Sequence, residues 1–472
     1  LPWWVISAVV HAVIFLLATL LTVAVPPSQI DEVLISTDVV KKEEKKYNEK
    51  LERDIFKNPQ EVVHENKVEN PVVVHEEAEV SDHFETDNNM DSNSARGHED
   101  AISDIPLGGT GVVGSMGVGG GGMAGCFGYR DGGGRRRATA RFGGSKETES
   151  AVEAALRWLA RHQNSNGYWE TDRLEGKVKQ YNATTALALL AFLGAGYTQK
   201  TGKYKDNVHR AINWLMSKQA DNGRIYEKAI DEKGYGPGYT HAMSGLALAE
   251  AYGMSNDPWV RAAAQKAVDY SIDIHQKPYS GWRYSAKSNP DISVTGWFTM
   301  QLKSAKVAGL KVDGAGFQGA MGFLDKVHGN DGLGLYQPGG KPGKTRTAIA
   351  LVCRLFMGSK NNEARMIKGA DYICQSPPRT DGPAWKGAWS WYYWYYGTLA
   401  SFQMGKRHWD PWNKALKESL LPTQRKGGDE DGSWDPKGPE RQGGSLGRRA
   451  FTTAVGALCL EVYYRYLPMN KK

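Results

Sequence analysis

The stretch Ala155-Leu156-Arg157-Trp158-Leu159-Ala160-Arg161-His162-Gln163-Asn164-Ser165-Asn166-Gly167-Tyr168-Trp169 decides the fold. It ends an amphipathic helix, about Glu149–Arg161, with Val152, Ala155, Leu156 and Leu159 on one face and Arg157 and Arg161 elsewhere. A glutamine at a helix end can satisfy orphaned backbone groups, and a nearby tryptophan can pack over the turn. The apolar run Leu187-Ala188-Leu189-Leu190-Ala191-Phe192 follows, and a helix apolar nearly all round must be buried. This unit repeats. A small-residue step marks six apolar helices, at Thr185-Ala186, Ser244-Gly245, Thr295-Gly296, Thr347-Ala348, Tyr396-Gly397 and Thr453-Ala454, spaced 59, 51, 52, 49 and 57 residues apart. Amphipathic helices are predicted before the later five, near Val208–Lys218, Trp259–Ile274, Phe317–Val327, Ala364–Cys374 and Pro411–Leu421. Six such pairs predict a double ring with the buried helices inside. A straight solenoid would need a polar-faced last helix, whereas Ala454–Tyr464 is as apolar as the others, so the ring is expected to close.

The spacing A-x-x-W-L-x-x-x-Q-x-x-x-G-x-W resembles the QW motif of squalene–hopene cyclases. Weaker copies are Ala211-x-x-Trp214-Leu215-x-x-x-Gln219-x-x-x-Gly223, Gly281-Trp282, Gln375 with Gly382 and Trp385, and Gln424 with Trp434. The resemblance implies an all-α (α/α)6 toroid of the squalene cyclase and protein prenyltransferase superfamily over residues 145–472. It makes Gln163, Trp169, Gln219, Trp282, Gln424 and Trp434 structural. The inner-helix starts would converge on one mouth, a place that favours anionic groups. The ligand cavity is therefore expected at Tyr181, Asn182, Tyr239, Thr240, His241, Asp291, Ser293, Arg346, Trp391, Tyr392, Trp394, Arg448 and Arg449. Part of the aromatic run Trp389-Ser390-Trp391-Tyr392-Tyr393-Trp394-Tyr395-Tyr396 would line it, since consecutive helical residues cannot all share one face.

The family's D-x-D-D-T-A acid motif reads Asp291-Ile292-Ser293-Val294-Thr295-Gly296 here, with serine at the donor position. Serine is a very poor general acid. Asp291, after Pro290, is expected to cap its helix. The prenyltransferase D-x-C zinc pair reads Asp291-x-Ser293, so no metal and no cofactor is expected. Asp291, His241 and Tyr239 remain the catalytic candidates. The last two, with Tyr181, Asn182, Arg448 and Arg449, belong to a reading as an anionic-polysaccharide-processing enzyme.

Upstream, residues 31–105 hold nine Lys/Arg and twenty-one Asp/Glu, a net of −12. The chain as a whole is +7, which leaves +19 for the remainder. Residues 26–144, acidic over 31–105 and glycine-rich over 107–144, are expected to be a disordered linker. Residues 3–25 are apolar enough for a membrane-spanning helix. The acids Asp31, Glu32 and Asp38 precede the first lysine, Lys41, which predicts a single-pass protein with its toroid outside the cytoplasm. Gly109-Thr110-Gly111-Val112-Val113-Gly114 lacks the strand and helix of a dinucleotide site. Cys126, Cys353, Cys374 and Cys459 form no C-x-x-C pair and read as small core residues. Nothing selects nucleic acid. The expected function is binding of an apolar or isoprenoid ligand, with an anionic partner at the basic rim. A terpenoid cyclase or prenyltransferase with altered acid chemistry is the first alternative.

Overall fold

A computed structural model of the chain describes residue 11, residues 127, 129–130, 132–171, 180–226, 236–275, 280–380 and 390–436, and residues 448–466. Regular structure among them is helical. After α1 (Gly132–Phe142), an outer and an inner helix alternate through six hairpins. They are α2 (Lys146–Arg161) with α3 (Tyr181–Gly194), α4 (Lys205–Ser217) with α5 (Pro237–Ser255), and α6 (Pro258–Ile274) with α7 (Ile292–Val307). The other three are α8 (Gly314–Val327) with α9 (Lys344–Phe356), α10 (Ala364–Cys374) with α11 (Trp391–Met404), and α12 (Lys406–Leu420) with α13 (Arg448–Leu460). A short α14 (Val462–Arg465) ends the described chain. All of α3 except Tyr181 is buried, as its all-round apolar sequence demands. The inner helices α3, α5, α7, α9, α11 and α13 pack each on the next, and α13 packs back on α3. The ring is closed.

The first, second and sixth hairpins share one turn chemistry. Gln163 Nε2 donates to Gly167 O in its own turn (2.9 Å) and to Asn207 O in the next outer helix (2.9 Å). Gln219 does the same toward Gly223 and Ala263. Gln424 bonds Gly432 O and Ala151 O, and so joins the last hairpin to the first. The turn glycines Gly167, Gly223 and Gly432 have φ near +90°. A methyl group at Gly167 would lie 2.2 Å from Arg210 O and one at Gly432 would lie 2.1 Å from Ala154 O, so glycine is required twice over. The chain leaving the turn is pinned to the inner helix. The amides of Trp169, Trp282, Gly334 and Trp434 donate to Thr185, Thr295, Thr347 and Thr453 Oγ1.

Two departures from the sequence reading follow. In the second hairpin the acceptor is His241 Nδ1, bonded by Ile225 N at 3.1 Å. The repeat step there is His241-Ala242, about one helical turn before the small pair Ser244-Gly245. In the fourth hairpin His328 takes the glutamine's place. Its Nε2 lies 3.1 Å from Gly332 O, and Gly332 approaches Arg365 O. A pattern keyed to glutamine does not find it.

The linker expected to run to residue 144 is ordered over its last part. Arg130 is buried, with Nη1 on Glu250 Oε2 (2.7 Å) and Nη2 on Arg465 O (3.1 Å). Arg465 Nη2 and Tyr466 OH occupy Glu250 Oε1. On α1, Arg135 pairs with Glu149 and donates to Ala195 O. Glycine content predicted irregular chain, but these charges need their partners once buried, and that anchors the segment. The remainder of the linker, and the span expected at 3–25 apart from His11, lie outside the described residues. No described helix is long and apolar enough to cross a membrane.

Gln424→Ala is expected to lower unfolding free energy by about 2 kcal/mol, because two carbonyls lose a donor. Urea unfolding measures this, and an unchanged midpoint would show that the bridge contributes nothing.

Candidate functional site

The start of α7 is fixed from three sides. Asp291 N donates to Trp282 O (3.0 Å), Ile292 N to Tyr336 O (3.1 Å), and Gln337 Nε2 to Pro290 O (2.9 Å). Asp291 caps the helix, its Oδ1 accepting from Ser293 N (2.9 Å) and Val294 N (3.0 Å). Its Oδ2 is buried without a close hydrogen-bond donor. Burial lifts this carboxyl to about 6, against the opposing pull of the two cap amides, Arg283 and Tyr336.

Four half-buried tyrosines surround it, from α5, α11 and the segments before α7 and α9. The Tyr284 and Tyr336 hydroxyls are 2.5 Å apart, and the Tyr239 ring lies 5.7 Å from that of Tyr284. The Arg283 guanidinium sits over both Tyr284 (5.4 Å) and Tyr336 (5.9 Å). Tyr392 OH donates to Ser293 O at 3.4 Å. Burial holds Tyr239 and Tyr392 well above the usual phenol range, so both are neutral donors. Beneath them Trp297 stacks on Tyr395 (5.5 Å, 11°) and meets Tyr396 edge-on (5.7 Å). Trp297 Nε1, Tyr395 OH and Tyr396 OH are buried without a hydrogen-bond partner of normal geometry.

The family model of the squalene-hopene cyclase C-terminal domain matches residues 137–243, from α1 through the first hairpin into α5. Over that stretch, less than a quarter of the chain, the toroid is similar to squalene-hopene cyclases. No curated protein matches it in sequence. Among solved structures, the toroid is similar to a type II terpene cyclase from Scytonema bound to geranylgeranyl dihydroxybenzoate. That likeness has 14% identity and a TM-score of 0.49, and covers 68% of this chain and 98% of that one. It is also similar to an α-1,6-mannanase from Salegentibacter sp., at 11% identity, with 67% and 98% coverage and a TM-score of 0.46. Neither activity transfers at this similarity, because a shared fold hosts unrelated chemistries.

The toroid brings Tyr239, Asp291, Ser293 and Tyr392 together and puts Arg346 at their margin, 5.8 Å over the Tyr336 ring. The other expected cavity residues are engaged elsewhere. His241 is fully buried, with Nε2 near Ala267 O and Ser271 Oγ, and burial depresses it to about 4. It is a neutral structural histidine. Asn182 Oδ1 accepts from Trp214 Nε1, and Tyr181 packs on Tyr168. Trp391 packs between Trp394 and Trp434. Arg449 is held by Ser433, Asp435 and Glu430. The Arg448 side chain lies outside the described residues. Tyr284, Tyr336, Arg283 and Trp297 were not among the expected residues. Trp297 lies one turn beyond Ser293 and could have been found by helical spacing. The loop residues carry no local signal. Among the described residues no group of three His, Cys, Asp or Glu side chains could hold a metal ion.

The raised carboxyls give a signed pH dependence. A folded pKa above the unfolded one means the folded state keeps its proton longer, so stability is full at low pH and falls as pH rises. For Asp291 the window is about pH 4 to 6, with a loss of at most about 3 kcal/mol. Glu461, buried and lifted to about 8, extends the fall to about pH 8. Asp291→Asn keeps a capping oxygen and is expected to flatten the lower window in denaturant titrations. An unaltered slope would contradict the raised carboxyl.

Proposed function

We propose that the toroid binds an elongated apolar molecule of isoprenoid type and does not cyclise it. One observation carries the reading. Three buried polar groups on one aromatic wall, Trp297 Nε1, Tyr395 OH and Tyr396 OH, find no protein partner of good geometry, Trp297 and Tyr396 lying near Tyr392 and Tyr395 near Arg465. Buried polar atoms are normally satisfied, so such a cluster marks a place for a ligand atom or water. The hydrocarbon would lie against the ring faces of the aromatic wall, and the polar end would meet Trp297 Nε1, Tyr396 OH and the hydroxyls of Tyr239, Tyr284, Tyr336 and Tyr392. Ligand enters from the tyrosine side, since the charge network of Arg130, Glu250 and Arg465 fills the other end.

The acid site supports binding over cyclisation. Alkene protonation needs a strong acid, whereas Asp291 is weakened to about 6 and committed to capping, and Ser293 stands at the donor position. The polysaccharide reading loses support because His241 is buried away from the mouth. Anchorage through residues 3–25, with the toroid outside the cytoplasm, belongs to the same proposal and rests on sequence alone.

Native mass spectrometry of the full chain with lipid extract is expected to show a retained isoprenoid, recovered unchanged. Trp297→Ala should reduce its occupancy several-fold. A bound oligosaccharide, no adduct at all, or a cyclised product would each overturn the reading.

A further inference from the structure

At the end of the ring where the inner helices finish, the chain turns into the outer helices, and lysines collect there. Lys146, Lys205 and Lys406 are the first residues of α2, α4 and α12. Lys311 and Lys360 lie in the turns that lead into α8 and α10. All five are exposed, and Arg137 on α1 is exposed as well. A positive side chain in the first turn opposes the helix dipole, so helix stability does not account for this placement. Carboxylates at the same end are largely used locally. Asp257 and Asp313 cap α6 and α8, Glu149 pairs with Arg135, and Glu363 accepts from Lys360 N. Asp206 and Glu147, both exposed, are the acids beside Lys205 and Lys146. Among the described residues these five lysines form no ion pair.

The geometry points to this end as a docking face for a membrane surface rich in anionic phospholipid headgroups. Charge complementarity is the first argument, because each lysine near such a surface contributes about fivefold to binding and the effect fades within roughly 10 Å in 0.1 M salt. Distribution is the second. At five of the six outer helices an exposed lysine stands at the helix start or in the turn leading to it, which makes a ring of charge suited to a broad surface. The third is chain path. Phe127 lies against Gly253 and Arg130 beneath Leu193 O, so the first described residues of the segment joined to the ring sit at this end. The face is separate from the tyrosine-lined mouth, and the inference does not depend on the ligand proposed there.

Amine acylation footprinting of the full chain tests it, on phosphatidylcholine vesicles with and without phosphatidylglycerol. Lys146, Lys205, Lys311, Lys360 and Lys406 are expected to label at least about threefold more slowly on the anionic vesicles, and high salt should restore the rate. Lys341 and Lys426, in loops leading to inner-helix starts, should not change. Equal labelling on both vesicles overturns the proposal, as does protection by a soluble polyanion with none from anionic vesicles. Charge reversal at Lys205, Lys311 and Lys360, all on the surface, should abolish the salt-sensitive protection of Lys146 and Lys406.

Discussion

Three seams of the ring depend on a side-chain amide that reaches two carbonyls at once. Gln163, Gln219 and Gln424 each tie their own turn to the following outer helix, so the same group both ends a hairpin and places its neighbour. Each bridge replaces water on carbonyls that a helix and a tight turn would otherwise leave unpaired. A single bridge is worth little, as any protein hydrogen bond is. Repetition changes this, because each placed helix presents the carbonyl that the preceding turn requires. Gln424 on Ala151 O turns the row of hairpins into a cycle. Trp158 Nε1 on Asp429 O and Arg157 on Asp431 support the same seam.

A closed ring has two ends and an interior that water cannot solvate, and each is handled differently. At the inner-helix C-terminal end, burying Arg130, Arg465 and Glu250 is tolerable because both carboxylate oxygens receive donors. Glu461 nearby receives none, and burial keeps it protonated near neutrality. Buried charges are therefore cancelled or suppressed at that end. The opposite end relies on neutral phenols, whose hydroxyls can donate without any cost of burying charge.

The architecture was legible because it rests on patterns of composition. All-round apolar helices must be inside, and a helix–glutamine–glycine–tryptophan order recurs at a regular interval. Register was less legible, since a small residue is a weaker marker than the acceptor the turn requires. His241 can accept from Ile225 N as a threonine does, and His328 can hold its own turn carbonyl as a glutamine does, so matching by residue type fails where function by atom is preserved. The mouth was legible only in part. Asp291 announced itself as a cap after Pro290, while Tyr284 and Tyr336 meet 52 residues apart through tertiary packing alone. Arg449 and Asn182 sit where inner helices begin, yet nearby turns and outer helices claim their polar atoms first.

That competition for polar atoms also limits the chemistry. The inner-helix starts offer amides, and an aspartate placed among them satisfies amides through one oxygen. Its other oxygen is then held in a site dry enough to favour the neutral acid, and a carboxyl that prefers its proton gives it up poorly. A strong acid at this position would need a further donor to stabilise the carboxylate left behind. The serine two residues on supplies its backbone amide to the cap, and its carbonyl accepts Tyr392 OH. Tyr336 and Arg283 oppose the effect of burial without overcoming it. The same dryness that makes Asp291 a weak acid keeps Tyr239 and Tyr392 beside it neutral.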